Sequence, residues 1–423
     1  MLFRIIIPSR QLVCATLLVL STSAYGNRPP PALQNLGNTC YLNAQIQCAY
    51  HIPQVRNIVL QSDHDGDNKD QPSSSTAHTA LRDLFRDMST STTTTSPRAF
   101  CQALGIPIWQ QQDSQEFWKL LLPAVQSSAL SDLYQGAYQD YIVALDGSQR
   151  ERRKEEAFLD LSLDVQPTLE EALTQLVQPE LLKATEGNGW RPEKGAPAID
   201  AQKGIQLQSA SLPPILQLHL KRFHFDWNTE TTTKINAPCV FPVVLNLGQF
   251  CGADEKDDVF YDLQGIVVHV GEYGEGHYYA YVRPDVQSNV WYRCNDDVIE
   301  SADLKHVLCD SYGGQQQPSI IQQRLLQNEQ DDSSSSSSSS DVVKEVETMM
   351  AKQDDIKKLA KPGFWRRLIG NLFVSSSEND DNDYDTSPTF GFGGPTSSAY
   401  VLQYVRRSAL PRLYGIMDRD EAS

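Results

Sequence analysis

Residues 33–47 read LQNLGNTCYLNAQIQ, and the setting of Cys40 within them organises the reading of the whole chain. Leu42, Ile46, Ala49 and Tyr50 recur at helical spacing, so a helix begins near Cys40. Gly37 and Asn38 supply a tight turn ahead of it, and Asn38 or Thr39 can cap it. A thiol there faces the positive end of the helix dipole, which favours the thiolate that a nucleophile needs. The competing reading is a buried structural cysteine, the commoner fate of an unpaired thiol.

A thiolate nucleophile needs an oriented base, and the chain offers eight histidines. His51 is eleven residues along the same helix, about 16 Å away, which is too far. His64 and His78 fall in polar loops, His219 and His224 in a strand pattern, and His306 in a helix after the last core strand. His277 differs. It follows the turn GEYGEG and opens the strand HYYAYV, and a return strand, VWYRCND, comes soon after. Folded as an antiparallel hairpin centred near Val286, this pair sets His277 opposite Asn295 and Asp296, about 5 Å away. Either could fix the tautomer of the ring; the alternative is a polar pair at a sheet edge. The backbone N–H of Cys40 and the side-chain amide of Asn35 are candidate oxyanion donors. Asn35 reads equally well as a turn residue.

The chain around these residues has 423 residues and a formal net charge of −17. That balance disfavours phosphate backbones, hence nucleic acid, and anionic lipid; it suits a basic segment on a partner. The eight cysteines include no C-x-x-C pair. This speaks against a disulfide scaffold or a zinc ribbon and fits a reducing compartment. Residues 1–26 argue the other way, with Arg4, Arg10 and an apolar run from Leu12 to Leu20. They are either a secretory signal or a fortuitous apolar leader, and the run is too short to span a membrane.

Beyond the Pro-rich linker 27–32, residues 33–125 read as mainly helical, with polar loops at 61–79 and 89–97. Residues 126–210 mix short strands such as AFLDLSLDV with a helix, TLEEALTQLV, for which Thr168 is the expected cap. Residues 214–300 read as strand, and PILQLHLKRFHF alternates Leu216, Leu218 and Leu220 with Gln217, His219 and Lys221. Residues 315–395 are low in complexity around two helical pieces, the second of them (363–373) basic and amphipathic, read first as packed on its own domain or only transiently formed, with membrane or partner contact the less favoured alternative. The strand pattern then returns in SSAYVLQYVRR. A lone strand is not stable in water, so it must rejoin the earlier sheet, and 315–395 is an insertion in one domain.

At this point the residues resemble a family. LQNLGNTCYLNAQIQ is similar to the cysteine box of the ubiquitin-specific proteases. In order after it, QQDSQEF (111–117) resembles their acidic box, PPILQLHLKRF with KINAPCVFPVVLNL their palm strands, GHYYAYVR with VWYRCNDDVI their histidine box, and SSAYVLQYVRR their closing strand. The resemblance implies an α+β, papain-like right hand over 33–408, with a thumb (33–125), mainly fingers (126–210) and a palm (211–314 and 396–408), then a tail, 409–423. It implies a monomeric, cofactor-free thiol hydrolase of the cytosol or nucleus, acting on ubiquitin and ubiquitinated proteins after the C-terminal Gly-Gly. Cys40 takes the nucleophile position, His277 the base, Asn295 the orienting position with Asp296 beside it, and Asn35 the oxyanion position. Asp113 and Glu116 match residues that grip an arginine of the ubiquitin tail, although Asp-x-x-Glu before an apolar run is also a capping box. Tyr278 matches a residue walling the Gly-Gly channel. No cysteine falls in the fingertip stretch EGNGWRPEKGAPAIDAQKG, so the fingers resemble the metal-free branch. The alternatives are a catalytically weak ubiquitin-binding module and a protease for a ubiquitin-like modifier.

Overall fold

The computed structural model describes residues 29–61, 75–252, 259–314 and 396–415. The leader 1–26, His64, the two helical pieces within 315–395 and most of the tail lie outside the described residues.

Six helices come first: α1 (Cys40–Tyr50), α2 (Pro53–Leu60), α3 (Thr76–Thr90), α4 (Arg98–Leu104), α5 (Ser114–Val125) and α6 (Ser128–Tyr134). Every residue of α1 is buried, including Asn43, Gln45 and Gln47. The helix is a central strut rather than an amphipathic surface element. On one side Tyr41 meets Phe117 of α5 edge-on, with ring centroids 5.6 Å apart. On the other, a sheet comes so close that a Cβ on Gly265 would stand 3.0 Å from the Cys48 sulfur. Burial of amides is tolerated only where they are hydrogen-bonded. Gln47 Nε2 accordingly donates to the Pro31 carbonyl at 2.6 Å.

Two local expectations change. Thr39 sits at the N-cap of α1 but makes no capping bond. Its hydroxyl turns back to accept from the Leu36 N–H at 2.9 Å, and Asn38 Nδ2 donates to the Trp109 carbonyl at 2.8 Å. Both candidate caps are spent on holding the loop, so neither covers the first N–H groups of α1. His78, expected in a loop, lies buried in α3, because Ser75 caps that helix through the His78 N–H at 3.1 Å.

The strands follow: β1 (Gly136–Ala144), β2 (Glu151–Phe158), β3 (Leu161–Asp164), then α7 (Leu169–Val177), β4 (Glu180–Leu182) and β5 (Ala201–Leu207). Thr168 caps α7 as expected, accepting from the Glu171 N–H at 3.2 Å. AFLDLSLDV is not one strand: it breaks after Phe158, with β2 going to a four-stranded antiparallel sheet (order β2-β1-β5-β4) and β3 to a larger one. Next come β6 (Ile215–Lys221), β7 (Phe223–Asp226), β8 (Thr231–Lys234), β9 (Val244–Asn246), β10 (Phe260–Val270), β11 (His277–Val282), β12 (Trp291–Asn295), β13 (Val298–Ala302), α8 (Leu304–Tyr312), β14 (Ser398–Arg406) and α9 (Leu410–Tyr414).

The larger sheet runs β13-β12-β11-β10-β14-β6-β3, with β9 pairing on β10. PILQLHLKRFHF is cut in two at the fully buried Arg222. Lys221 is exposed, but Gln217 does not face water as the alternation suggests. Gln217 is buried under α1, bonded to Gln45 Oε1 at 3.4 Å and to Gln403 Oε1 at 3.0 Å. The sheet is covered on that face, so the inward polar positions pair with one another. β14 lies between β10 and β6, antiparallel to both, so the strand pattern at 397–407 does rejoin the sheet.

Candidate active site

Cys40 is the first residue of α1 and is 3% exposed. His277 is the first residue of β11, which packs against α1. The hairpin register differs by about one residue from a centre at Val286: Ala280 pairs Cys294 and Val282 pairs Tyr292. Extended, that ladder would set Asp297 level with His277. It ends first, and Asn295 reaches His277 by its side chain, with Oδ1 2.6 Å from Nε2. This leaves Nδ1 as the ring nitrogen available to the sulfur, and the imidazole hydrogen-bonds the Cys40 side chain. Burial by itself would push His277 down. The Cys40 hydrogen bond and charge outweigh it, helped by Asp296 and Asn295, and hold the ring up at about 9.

Asp296 follows in a left-handed turn, at φ 53°. Its Oδ2 is 3.8 Å from His277 Nε2, accepts from Asn35 Nδ2 at 2.9 Å, and its Oδ1 accepts from Asn43 Nδ2 at 2.8 Å. Burial raises this carboxyl above its usual range, against the lowering effect of Asn43, His277 and Asn35. The Leu33 N–H also donates to the Asp296 carbonyl at 3.0 Å. The turn after β12 is thus sewn to the loop ahead of Cys40. Asn35 is central to that seam, since its Oδ1 accepts from the N–H groups of Gly37 and Thr39 at 3.0 and 3.1 Å. One N–H of its amide goes to Asp296; an amide carries two.

Asp113 is the N-cap of α5, with Oδ1 accepting from the N–H groups of Gln115 and Glu116 at 2.8 and 3.1 Å. Its other oxygen accepts from the Tyr400 hydroxyl. Glu116 is exposed one turn on; what burial it has, then the Asp113 charge, raise its carboxyl, with Lys119 opposing. Tyr278 is buried and packs edge-on to His269 and Tyr400, with centroids 4.7 and 5.6 Å away. His269 is itself driven down to about 2, by burial first and then by the charges of Lys234, His277 and Arg222. It is a neutral spacer beneath the turn that leads into His277.

Sequence reasoning passed over three residues of this assembly. Gln111 was within the QQDSQEF stretch, but that stretch drew attention for its acids; its Nε2 lies 3.6 Å from the Cys40 sulfur and 2.6 Å from the Gly276 carbonyl. Asn43, which fixes Asp296, showed only as a polar break in an apolar helix. Tyr400 gave no signal beyond strand alternation.

Among the described residues, no cluster of His, Cys, Asp or Glu could hold a metal ion. What the arrangement offers is thiol chemistry: a buried sulfur at a helix start, an imidazole bonded to it, and an amide oxygen on the far ring nitrogen.

The chain is similar to known proteins. The family described as ubiquitin carboxyl-terminal hydrolase matches residues 32–318. Ubiquitin C-terminal hydrolase 13 of Arabidopsis thaliana is 30% identical over 303 residues, covering 67% of this chain and 26% of that protein. Ubiquitin carboxyl-terminal hydrolase 15 of Schizosaccharomyces pombe is 32% identical over 298 residues, covering 67% and 25%. Ubiquitin carboxyl-terminal hydrolase 25 of A. thaliana is 30% identical over 321 residues, covering 67% and 46%. The chain spans about a quarter of the length of the first curated relatives it matches. The mixed architecture is that of the papain-like right hand of the ubiquitin-specific proteases. On the match across two-thirds of its length, this chain belongs to the ubiquitin carboxyl-terminal hydrolase family.

Proposed function

We propose that this protein is a cysteine-type deubiquitinase, hydrolysing the isopeptide or peptide bond that follows the C-terminal Gly-Gly of ubiquitin. The observation that carries the reading is the His277 ring, bonded to the Cys40 side chain and, through Nε2, to Asn295 Oδ1 at 2.6 Å.

In this reading the Cys40 thiolate attacks the carbonyl carbon of the terminal glycine. The backbone N–H of Cys40 and the second N–H of Asn35 stabilise the oxyanion; one such donor contributes about 3–4 kcal/mol to the transition state. His277 gives its proton to the departing amine, leaving a thioester. It then takes a proton from the water that hydrolyses the thioester. Asn295 keeps the Nε2–H occupied, so that Nδ1 serves the sulfur. Asp296, held by Asn35 and Asn43, supplies negative charge for the imidazolium stage.

Ubiquitin and ubiquitinated proteins are the partners, and the net charge of −17 suits a basic tail. Asp113 and Glu116 grip that tail, and Tyr278 walls the glycine channel. The fingers hold without metal, and the enzyme acts as a monomer. The cytosol or nucleus is the working compartment, a reading supported by the free thiols of Cys40, Cys48, Cys101, Cys239 and Cys294 among the described residues. No helix among them is long and apolar enough to cross a membrane. Residues 363–373 are assigned no membrane role.

The test is a ubiquitin probe with a C-terminal electrophile, beside a ubiquitin-like probe. Covalent labelling by ubiquitin alone, abolished in Cys40→Ala, is expected. Binding without labelling would identify a non-catalytic ubiquitin receptor, and labelling by the other probe a different modifier.

A further inference from the structure

We propose that Gln111 is a positioning residue for the nucleophile: its side-chain amide fastens the residue preceding the base to the helical side of the cleft and donates to the Cys40 sulfur. The inference rests on the deubiquitinase reading and deepens it.

A primary amide has two N–H groups. Gln111 Nε2 is 2.6 Å from the Gly276 carbonyl and 3.6 Å from the Cys40 sulfur. One hydrogen serves each acceptor, so a single side chain measures the separation of the two reacting partners. The bond to Gly276 counts because the backbone there lies tight against its neighbours, with no room for a side chain. A Cβ on Gly276 would stand 2.0 Å from His269 Nε2 and 2.7 Å from the Val270 carbonyl. Holding that carbonyl therefore holds the peptide unit from which His277 springs. The anchorage of Gln111 is equally firm on its own side. Asn38, two residues before the nucleophile, donates to the Trp109 carbonyl, and the Asn38 N–H donates to the Ile108 carbonyl at 3.0 Å. Asp113, two residues after Gln111, caps α5.

The bond to sulfur has a chemical consequence. An N–H donor stabilises a thiolate more than a thiol, because hydrogen bonds to an ionised acceptor are the stronger. Gln111 thus places an N–H donor on the sulfur that the His277 ring also bonds. A methyl side chain at this position would lose both contacts. A carboxylate there, unable to donate while ionised, would place negative charge against the sulfur and reverse the effect.

The experiment uses the full chain with Gln111→Ala, Gln111→Glu and, as control, the exposed neighbour Gln112→Ala. Alkylation of Cys40 by iodoacetamide, read from the mass of its peptide across pH, needs no ubiquitin. Hydrolysis of a ubiquitin C-terminal fluorogenic amide is measured beside it. For Gln111→Ala we expect the pH of half-maximal alkylation to rise by about one unit and kcat to fall about tenfold, with KM within twofold. Gln111→Glu should move the alkylation profile further, and Gln112→Ala should match wild type in both. An unshifted alkylation profile in both Gln111 variants would overturn the inference, whether or not kcat falls. Wild-type protein that is alkylated normally yet cleaves no ubiquitin substrate would overturn the deubiquitinase reading instead.

Discussion

Asn295 and Asp296, adjacent in sequence, face the same ring nitrogen of His277 at unequal range: 2.6 Å from the amide oxygen and 3.8 Å from the carboxylate. In the proposed mechanism the nearer group orients, and the farther one supplies charge. Asn295→Ala is expected to lower kcat on the order of tenfold, because Asp296 stands close enough to take over. Removing both should cost on the order of a thousandfold, more than the two single losses combined. Steady-state kinetics on the three variants checks this, and simple additivity would show that the pair does not share the role.

The pH dependence follows from the raised imidazole. His277 is held at about 9 in the folded protein, against a usual 6.5. A group raised on folding contributes stability that is fully present below the unfolded value. That contribution fades as pH climbs from about 6.5 through about 9. Activity that depends on the imidazolium should fall on the same alkaline limb. In Cys40→Ala the chief raising influence is gone, and burial is opposed by the weaker effects of Asp296 and Asn295. NMR titration of the His277 ring should then show a clear downward move relative to wild type.

Gly276 tests how tightly the turn before the base is packed. Gly276→Ala would force a methyl to within 2.0 Å of a buried ring nitrogen of His269. The turn must shift, carrying His277 away from the sulfur. Labelling by the electrophilic ubiquitin probe should slow by about a hundredfold or more, while the far-ultraviolet circular dichroism stays that of wild type. Labelling at the normal rate would mean the turn adapts freely.

Asp113 and Glu116 separate by what each is bonded to. Asp113 caps α5 and accepts the Tyr400 hydroxyl, so Asp113→Ala should lower stability by about 1–2 kcal/mol as well as raise KM for ubiquitin substrates. Glu116 is exposed, and Glu116→Ala should raise KM with Tm unchanged. Thermal melts beside KM measurements decide the matter.

Much of this was legible in the chain because short-range patterns carried it. A turn-forming run before Cys40 announced the helix start, and Thr168 announced the cap of α7. The strand HYYAYV was marked by the turn GEYGEG before it and the return strand VWYRCND after it. What escaped notice depends on distant partners. Gln217 looked like an outward residue until Gln45 and Gln403 covered it. Thr39 looked like a cap until Asn35 and Leu36 claimed its hydroxyl. Gln111 shares its dipeptide with nothing chemically suggestive, and only the approach of Gly276 and Cys40 gives it a task. Hairpin register failed by about one residue, because the turn length cannot be counted from composition.

The position of β14 bears on how such a protein comes into being. It is the last strand of the described chain, yet it is wedged mid-sheet, and its partners β10 and β6 were made well over a hundred residues earlier. Synthesis runs from the N-terminus, so on the ribosome those two strands wait with unmet backbone groups until residue 406 has emerged. In that interval the bare edges of β10 and β6 are the surface of the nascent chain most in need of a chaperone.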